Sequence, residues 1–287
     1  MFYSFLSILE DTGYFNASLY SPFGIAGVET LGYEIAQQCR EITGKNPDAV
    51  VCTTAGGGMI TGTARGLIKA GAEETEVIAA SIDLTGLHMA SDTQFNRKSC
   101  TTGHTGFGVP HATGPDHSDT PRSAARILRY ADKYVTVTQG EVMYMTEALA
   151  NLEGIERGPA GNTALAAAFS LAQDMPEDAI IVISETEYTG AGKHIQPQLD
   201  FARENGIEIR FGDPSSEDKP GENIILPENP GFIKHKVADI DHFRQSMIKR
   251  ACRESGVEPV NLTVEDIKFL AEETKTDETF VKNVLAL

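Results

Sequence analysis

The sequence predicts an α/β fold, with a mostly parallel sheet, flanking helices and a helical extension at its C-terminal end. Three observations lead there. Continuously apolar runs at 48–54, Glu76–Ile82 and Ala179–Ser184 have the length of strands buried on both faces. Segments with apolar residues at helical spacing lie between them, so that strand and helix alternate as in a parallel sheet. Residues 232–287 then show helical patterning alone.

Taken in order, residues 1–20 are aromatic and irregular, and residues 1–44 read as the remnant of a smaller N-terminal domain. Ser21–Gly27 is turn-like. A helix should follow to about Gly44, carried by Val28, Leu31, Ile35, Cys39 and Ile42, with Gly44 as its C-terminal cap. An α/β domain is expected over 45–212: a strand at about 48–54, a glycine loop, a helix at about 60–71 and the strand Glu76–Ile82. Periodicity fails from Gly86 to Pro121, a loop rich in Gly, His, Ser and Thr. A loop of that length inside a compact domain is usually functional or mobile. The pattern resumes with a helix at Arg122–Ala131, a strand at Lys133–Thr138 and helices at Gly140–Leu152 and Thr163–Gln173. The strand Ala179–Ser184, a helix at about 195–205 and the strand Ile207–Phe211 complete the unit. Residues 213–231, rich in Pro, Gly, Asp and Glu, read as a linker. Three helices are expected in 232–287, one opened by a capping-box-like Thr263 and Asp266. Their apolar face comprises Leu262, Ile267, Leu270, Phe280, Val281 and Leu285.

Acidic residues outnumber basic ones 41 to 24, a net charge of −17, which argues against nucleic acid and against an anionic membrane surface as partners. No apolar run reaches the ~20 residues of a membrane span. Met1–Glu10 lacks the basic start of a signal peptide. Cys39, Cys52, Cys100 and Cys252 are widely spaced with no CxxC pair, so neither a disulfide framework nor a zinc site is expected, and a reducing cytoplasm is the simplest setting.

The chemical signal centres on Asp48–Gly62, where a strand runs into Gly56, Gly57 and Gly58 and then a helix. Glycines at such a junction let backbone N–H groups face a ligand, and the helix start adds unpaired N–H groups and a positive dipole end. Together they make a phosphate cradle; the plain alternative is a tight turn. No Lys-Ser/Thr pair follows, which excludes a P-loop. Gly56, Gly58 and Gly62 do not match the dinucleotide spacing either. His104, His111, His117 and Cys100 are further candidates for acid–base or nucleophilic roles, and Arg97 and Lys98 for an anion; solvated side chains and a free thiol are the default for all six.

Taken together, four stretches resemble the fold-type II pyridoxal-phosphate enzymes, which include the threonine and cysteine synthases and adopt the tryptophan synthase beta-like fold. They are Ser21–Ile35, the loop Ala55–Gly62, Glu153–Ile155 with Pro159–Gly161, and Ile180–Ser184, and the likeness covers about residues 20–212. It implies pyridoxal 5'-phosphate as cofactor, its phosphate on the amides of Ala55, Gly56, Gly57, Gly58 and Met59, and Ser184 facing the pyridine nitrogen. The plain reading of Ser184 is a polar strand end.

Within the family, the Gly103–His111 loop and the helices around Leu262–Leu287 resemble a thiolase branch. That implies an amino-acid substrate, CoA, a small partner subunit and an oligomer. A threonine synthase or amino-acid ammonia-lyase is the alternative, and outside catalysis an inactive fragment or interaction module of the same fold. Family members hold the cofactor's aldehyde on a lysine well upstream of the glycine loop. The first lysine here, Lys45, lies outside that motif, so the chain is expected to lack that region and to be inactive by itself.

Overall fold

A computed structural model describes residues 2–54, 56–83, 124–185 and 195–287, with side chains from residue 7 onward. Its main sheet has strand order β4-β1-β2-β3-β7. The strands are β1 (Ala49–Thr53), β2 (Glu76–Ile82), β3 (Lys133–Val137), β4 (Ile181–Ser184) and the short β7 (Lys236–Val237). All pairings are parallel except β3 with β7.

Side-chain alternation divides the central strands between two layers. Val51, Ile78, Ala80, Val135 and Val137 face α6 (Thr163–Ala172), whose small residues Ala164, Ala167 and Ala168 let it lie close. Val50, Cys52, Ala79 and Tyr134 face α3 (Gly58–Lys69) through Ile60, Ala64 and Leu67. β1 is buried from Ala49 to Cys52, as expected, and only Thr53 at its end is half-buried. β4 is only half-buried along Ile181–Ile183, because it is the edge of this sheet among the described residues.

The N-terminal segment differs from expectation. Phe2–Thr12 forms a helix, α1, where irregular chain was expected. The stretch Ser21–Gly27 already begins α2 (Pro22–Thr43): Ser21 Oγ accepts the Gly24 N–H, and Pro22 fits a first turn that needs no amide donor. Gly44 caps the helix with φ 81°, as expected. The buried stripe of α2 is Ile25, Glu29, Gly32, Ala36 and Cys39, while Leu31 and Ile42 are exposed. Backbone proximity selects that face. A Cβ at Gly32 would collide with the Thr63 carbonyl, and one at Gly66 with the Glu29 carbonyl, so α2 and α3 touch through glycines. Glu29 is tolerated there because Arg65 and Lys69 both pair with it.

The helix expected at Arg122–Ala131 is a single turn, α4 (Ile127–Tyr130), within the described residues. α5 (Gln139–Glu153) starts with a capping box in which Thr138 and Glu141 bond reciprocally. The linker expected at 213–231 is a correction. It contains a one-turn helix, α8 (Pro214–Glu217), and β6 (Asn223–Pro227), buried throughout. β6 pairs in parallel with β5 (Glu208–Gly212) in a second sheet. Its Ile224 and Leu226 pack with Met143 of α5 and with Leu199 and Ala202 of α7 (Gln196–Glu204). Proline and acidic residues around it disguise a strand whose apolar run is only Ile224, Ile225 and Leu226.

The tail forms α9 (Ile240–Ser255), α10 (Val264–Glu273) and α11 (Glu278–Leu285), around Ile248, Ile267, Leu270 and Val281. The capping box of Thr263 and Asp266 is present. The tail docks on the body through Phe243, edge-on to Tyr134 at 5.9 Å, and through the buried Glu273, which pairs with Arg126 and Arg129. Among the described residues no helix is long and apolar enough to cross a membrane.

Candidate active site

The sheet order determines where a crevice opens. From β1 the chain passes through α3 to β2 and β3 on one side, then returns through α6 to β4 on the other. α3 and α6 cover opposite faces, so the carboxyl ends of β1 and β4 form a topological switch point, the usual ligand position in open α/β sheets.

The glycine turn lies at this point. Gly57 has φ 83°, a conformation costly for a residue with a Cβ, and precedes α3 with no side chain capping the helix. The first-turn amides of α3 therefore lack an intrahelical partner. Packing explains part of the glycine requirement. A Cβ at Gly56 would enter the Tyr20 ring, one at Gly57 would meet Ile127, and one at Gly58 the Leu19 carbonyl. The returning chain is tied down as well. Arg126 N–H donates to Thr61 Oγ1 (2.9 Å), and Ala124 N–H to the Tyr20 carbonyl (2.9 Å).

Ser184 ends β4 opposite Cys52 in register. Its Oγ donates to Met59 Sδ at 3.0 Å, which brings together the strand-end hydroxyl and the glycine-turn residue. Beneath them burial pushes the Cys52 thiol up to about 12, so it is no nucleophile. On the α6 side, Thr53 Oγ1 donates to the Gly161 carbonyl (2.9 Å) and accepts the Ala164 N–H (3.0 Å), joining β1 to the Glu153–Gly161 entry of that helix.

Ala55, Arg97, Lys98, Cys100, His104, His111 and His117 lie outside the described residues. Lys45 is at the far, amino-terminal end of β1, where its Nζ pairs with Asp48 (2.9 Å), well away from the turn. Among the described residues no cluster of His, Cys, Asp and Glu suits a metal ion. Sequence reasoning missed Glu185, next to Ser184. Both its carboxylate oxygens are buried without a hydrogen-bond partner, and burial pushes its carboxyl up to about 7, against the opposing influence of Arg157. The one local signal was a carboxylate directly after an apolar strand.

A family model described as "Pyridoxal-phosphate dependent enzyme" matches residues 5–187. The chain belongs to this family. It is 68% identical over 282 residues to the 2-amino-4-ketopentanoate thiolase beta subunit of Acetoanaerobium sticklandii, over 98% of this chain and 59% of that protein. A protein of the same name from an unknown prokaryotic organism is 60% identical over 285 residues, 99% of this chain and 60% of that one. The chain thus spans about three fifths of the length of these curated relatives. Among solved structures, the processed form of threonine deaminase isoform 2 from Solanum lycopersicum overlaps 69% of this chain and 55% of its own, with 19% identity and a TM-score of 0.49.

The family's cofactor, pyridoxal phosphate, is chemically suited to what the turn offers. An uncapped helix start offers N–H donors of the kind that suit a phosphate, and a neutral strand-end hydroxyl, that of Ser184, lies in hydrogen-bond contact with Met59 beside it.

Proposed function

We propose that this chain carries the cofactor-binding half of a pyridoxal-phosphate thiolase that cleaves 2-amino-4-oxopentanoate with CoA to alanine and acetyl-CoA, a step of ornithine degradation. The observation supporting a cofactor site is the meeting of Met59 and Ser184 at the switch point. The substrate reading is supported by the 68% identity over nearly the whole chain. In this reading the amides from Ala55 to Met59 bind the phosphate, and Ser184 faces the ring nitrogen. When bound, the cofactor supplies an electron sink for negative charge on the amino-acid portion. Ser184, a neutral hydroxyl, brings no formal charge to that end. The Tyr20 ring lies over Gly56, consistent with residues 1–44 belonging to a smaller domain that closes the site beside the 45–212 body. A small partner subunit, an oligomeric assembly and a cytoplasmic setting complete the proposal.

The test is an assay of the full-length protein with its partner. CoA-dependent formation of alanine and acetyl-CoA is expected. Ammonia release without CoA would instead make it a lyase. Ser184→Ala is expected to leave the fold intact and to weaken retention of added pyridoxal phosphate, measured by equilibrium dialysis; unchanged retention would remove Ser184 from the site.

A further inference from the structure

Glu185, a half-buried residue whose two carboxylate oxygens are sealed from solvent, stands out against the buried glutamates. Glu141, fully buried, accepts the N–H groups of Thr138 and Lys234 at 2.7 Å each. Glu29 and Glu273 each hold two cations. Glu185 has neither kind of support: its two oxygens are out of contact with solvent and accept nothing. Buried polar atoms are normally bonded, and one left without a partner at a strand end points to a donor that arrives with a ligand.

Its place in the fold is specific. Cys52 pairs with Ser184, so continuing the register sets Glu185 level with Thr53, on the side where Thr53 grips the start of α6. At that helix start Asn162 Oδ1 and Thr163 Oγ1 are also buried without partners. The charged group acting on Glu185 among the described residues is Arg157. The carboxylate thus flanks the switch-point crevice on the α6 side, while Ser184 and Met59 flank it on the α3 side.

We propose that Glu185 is the proton acceptor for the thiol that enters this site. The inference rests on the reading that CoA is the second substrate. The S–H proton passes to the Glu185 carboxylate, and the sulfur pair forms the bond to the ketone carbon. The carbon–carbon bond to the amino-acid portion breaks with its pair on that portion. That carbon takes up one proton, which the Glu185 carboxyl is placed to return, giving alanine and the thioester. A carboxyl near 7 is well matched to a thiol, whose ordinary value is about 8.5, whereas an ordinary glutamate at about 4.3 is a much weaker base.

The experiment compares the complete protein with E185Q and E185D. In the reference protein kcat/KM for CoA should rise with pH through an acid limb near 7. E185Q should lose that limb and fall roughly 10²- to 10⁴-fold. The deficit should shrink with more acidic thiols, which need less help in losing the proton. E185D, with the base on a shorter stem, should keep the limb at a reduced rate. Without any assay of turnover, E185Q should raise the thermal midpoint at pH 8 relative to the reference and much less at pH 5, because it removes a carboxylate that burial opposes ionising. Cleavage by E185Q at the reference rate, with the acid limb intact, overturns the inference alone. Failure of the unsubstituted protein to form acetyl-CoA overturns the function reading, and this inference with it.

Discussion

At Gly57 two costs coincide: a backbone at φ 83° and Ile127 lying where a Cβ would go. Gly57→Ala is therefore expected to lose about 1–2 kcal/mol from the left-handed backbone and about 1–3 kcal/mol more from overpacking. Urea denaturation measures the sum, and a loss below about 1 kcal/mol would mean that the turn relaxes freely. Cys52 makes the opposite point. A thiol pushed up to about 12 in the core should resist alkylation in the native state and react only on unfolding, which mass spectrometry reads directly. Both residues lie under the same turn. One is retained for its missing side chain, and the other is an apolar filler despite its chemistry.

At the scale of elements, the α2–α3 pair is held by Gly32 and Gly66 at the contact and by Glu29 at its rim. The ion pairs are asymmetric: Glu29 is buried, while Arg65 and Lys69 are 41% and 61% exposed. Removing both cations leaves a buried carboxylate alone, expected to cost about 3–5 kcal/mol. Glu29→Gln leaves two cations that water can reach and should cost clearly less. Thermal unfolding of the two variants decides it, and equal losses would refute the asymmetry. The start of α5 offers a second case. Glu141 closes the capping box and also binds Lys234 N–H, and a Cβ at Gly140 would collide with the Ile225 carbonyl of β6. One helix start thus anchors β6 and the approach to β7.

Across the whole molecule, burial leaves carboxyls that favour protonation. Asp218 is pushed up to about 7, first by burial and then by Glu141 and Asp83, with Ile225 N–H and Lys236 opposing. Glu185 and Glu141 are raised as well, also chiefly by burial. The sign follows from proton counts: between about 3.8 and 7 the folded state keeps a proton on Asp218 that the unfolded chain has released. Stability from this group is therefore full below that window and is lost as pH rises through it. Asp218→Asn should gain on the reference protein as pH is raised from 4 to 7 and hold a constant lead above it. Parallel curves of unfolding midpoint against pH would refute this.

The features legible in the sequence are those whose cause is local. Apolar continuity marked β1 and β2, the glycine run marked the turn before α3, and Thr263 with Asp266 marked the start of α10. The parallel α/β class and the family both followed from them. The buried face of α2 did not, because close helix approach selects small residues over the larger Leu31 and Ile42. Neither did β6, whose short apolar run Ile224–Leu226 becomes a strand only beside β5. Ser184 was legible as a strand-end hydroxyl, but its approach to Met59 and the solitude of Glu185 depend on parallel register between segments more than 120 residues apart. Local sequence determines which segments become strands, helices and turns. Which of their side chains meet, and which are left without a partner, depends on long-range packing, because burial and hydrogen bonding are completed only when distant segments come together.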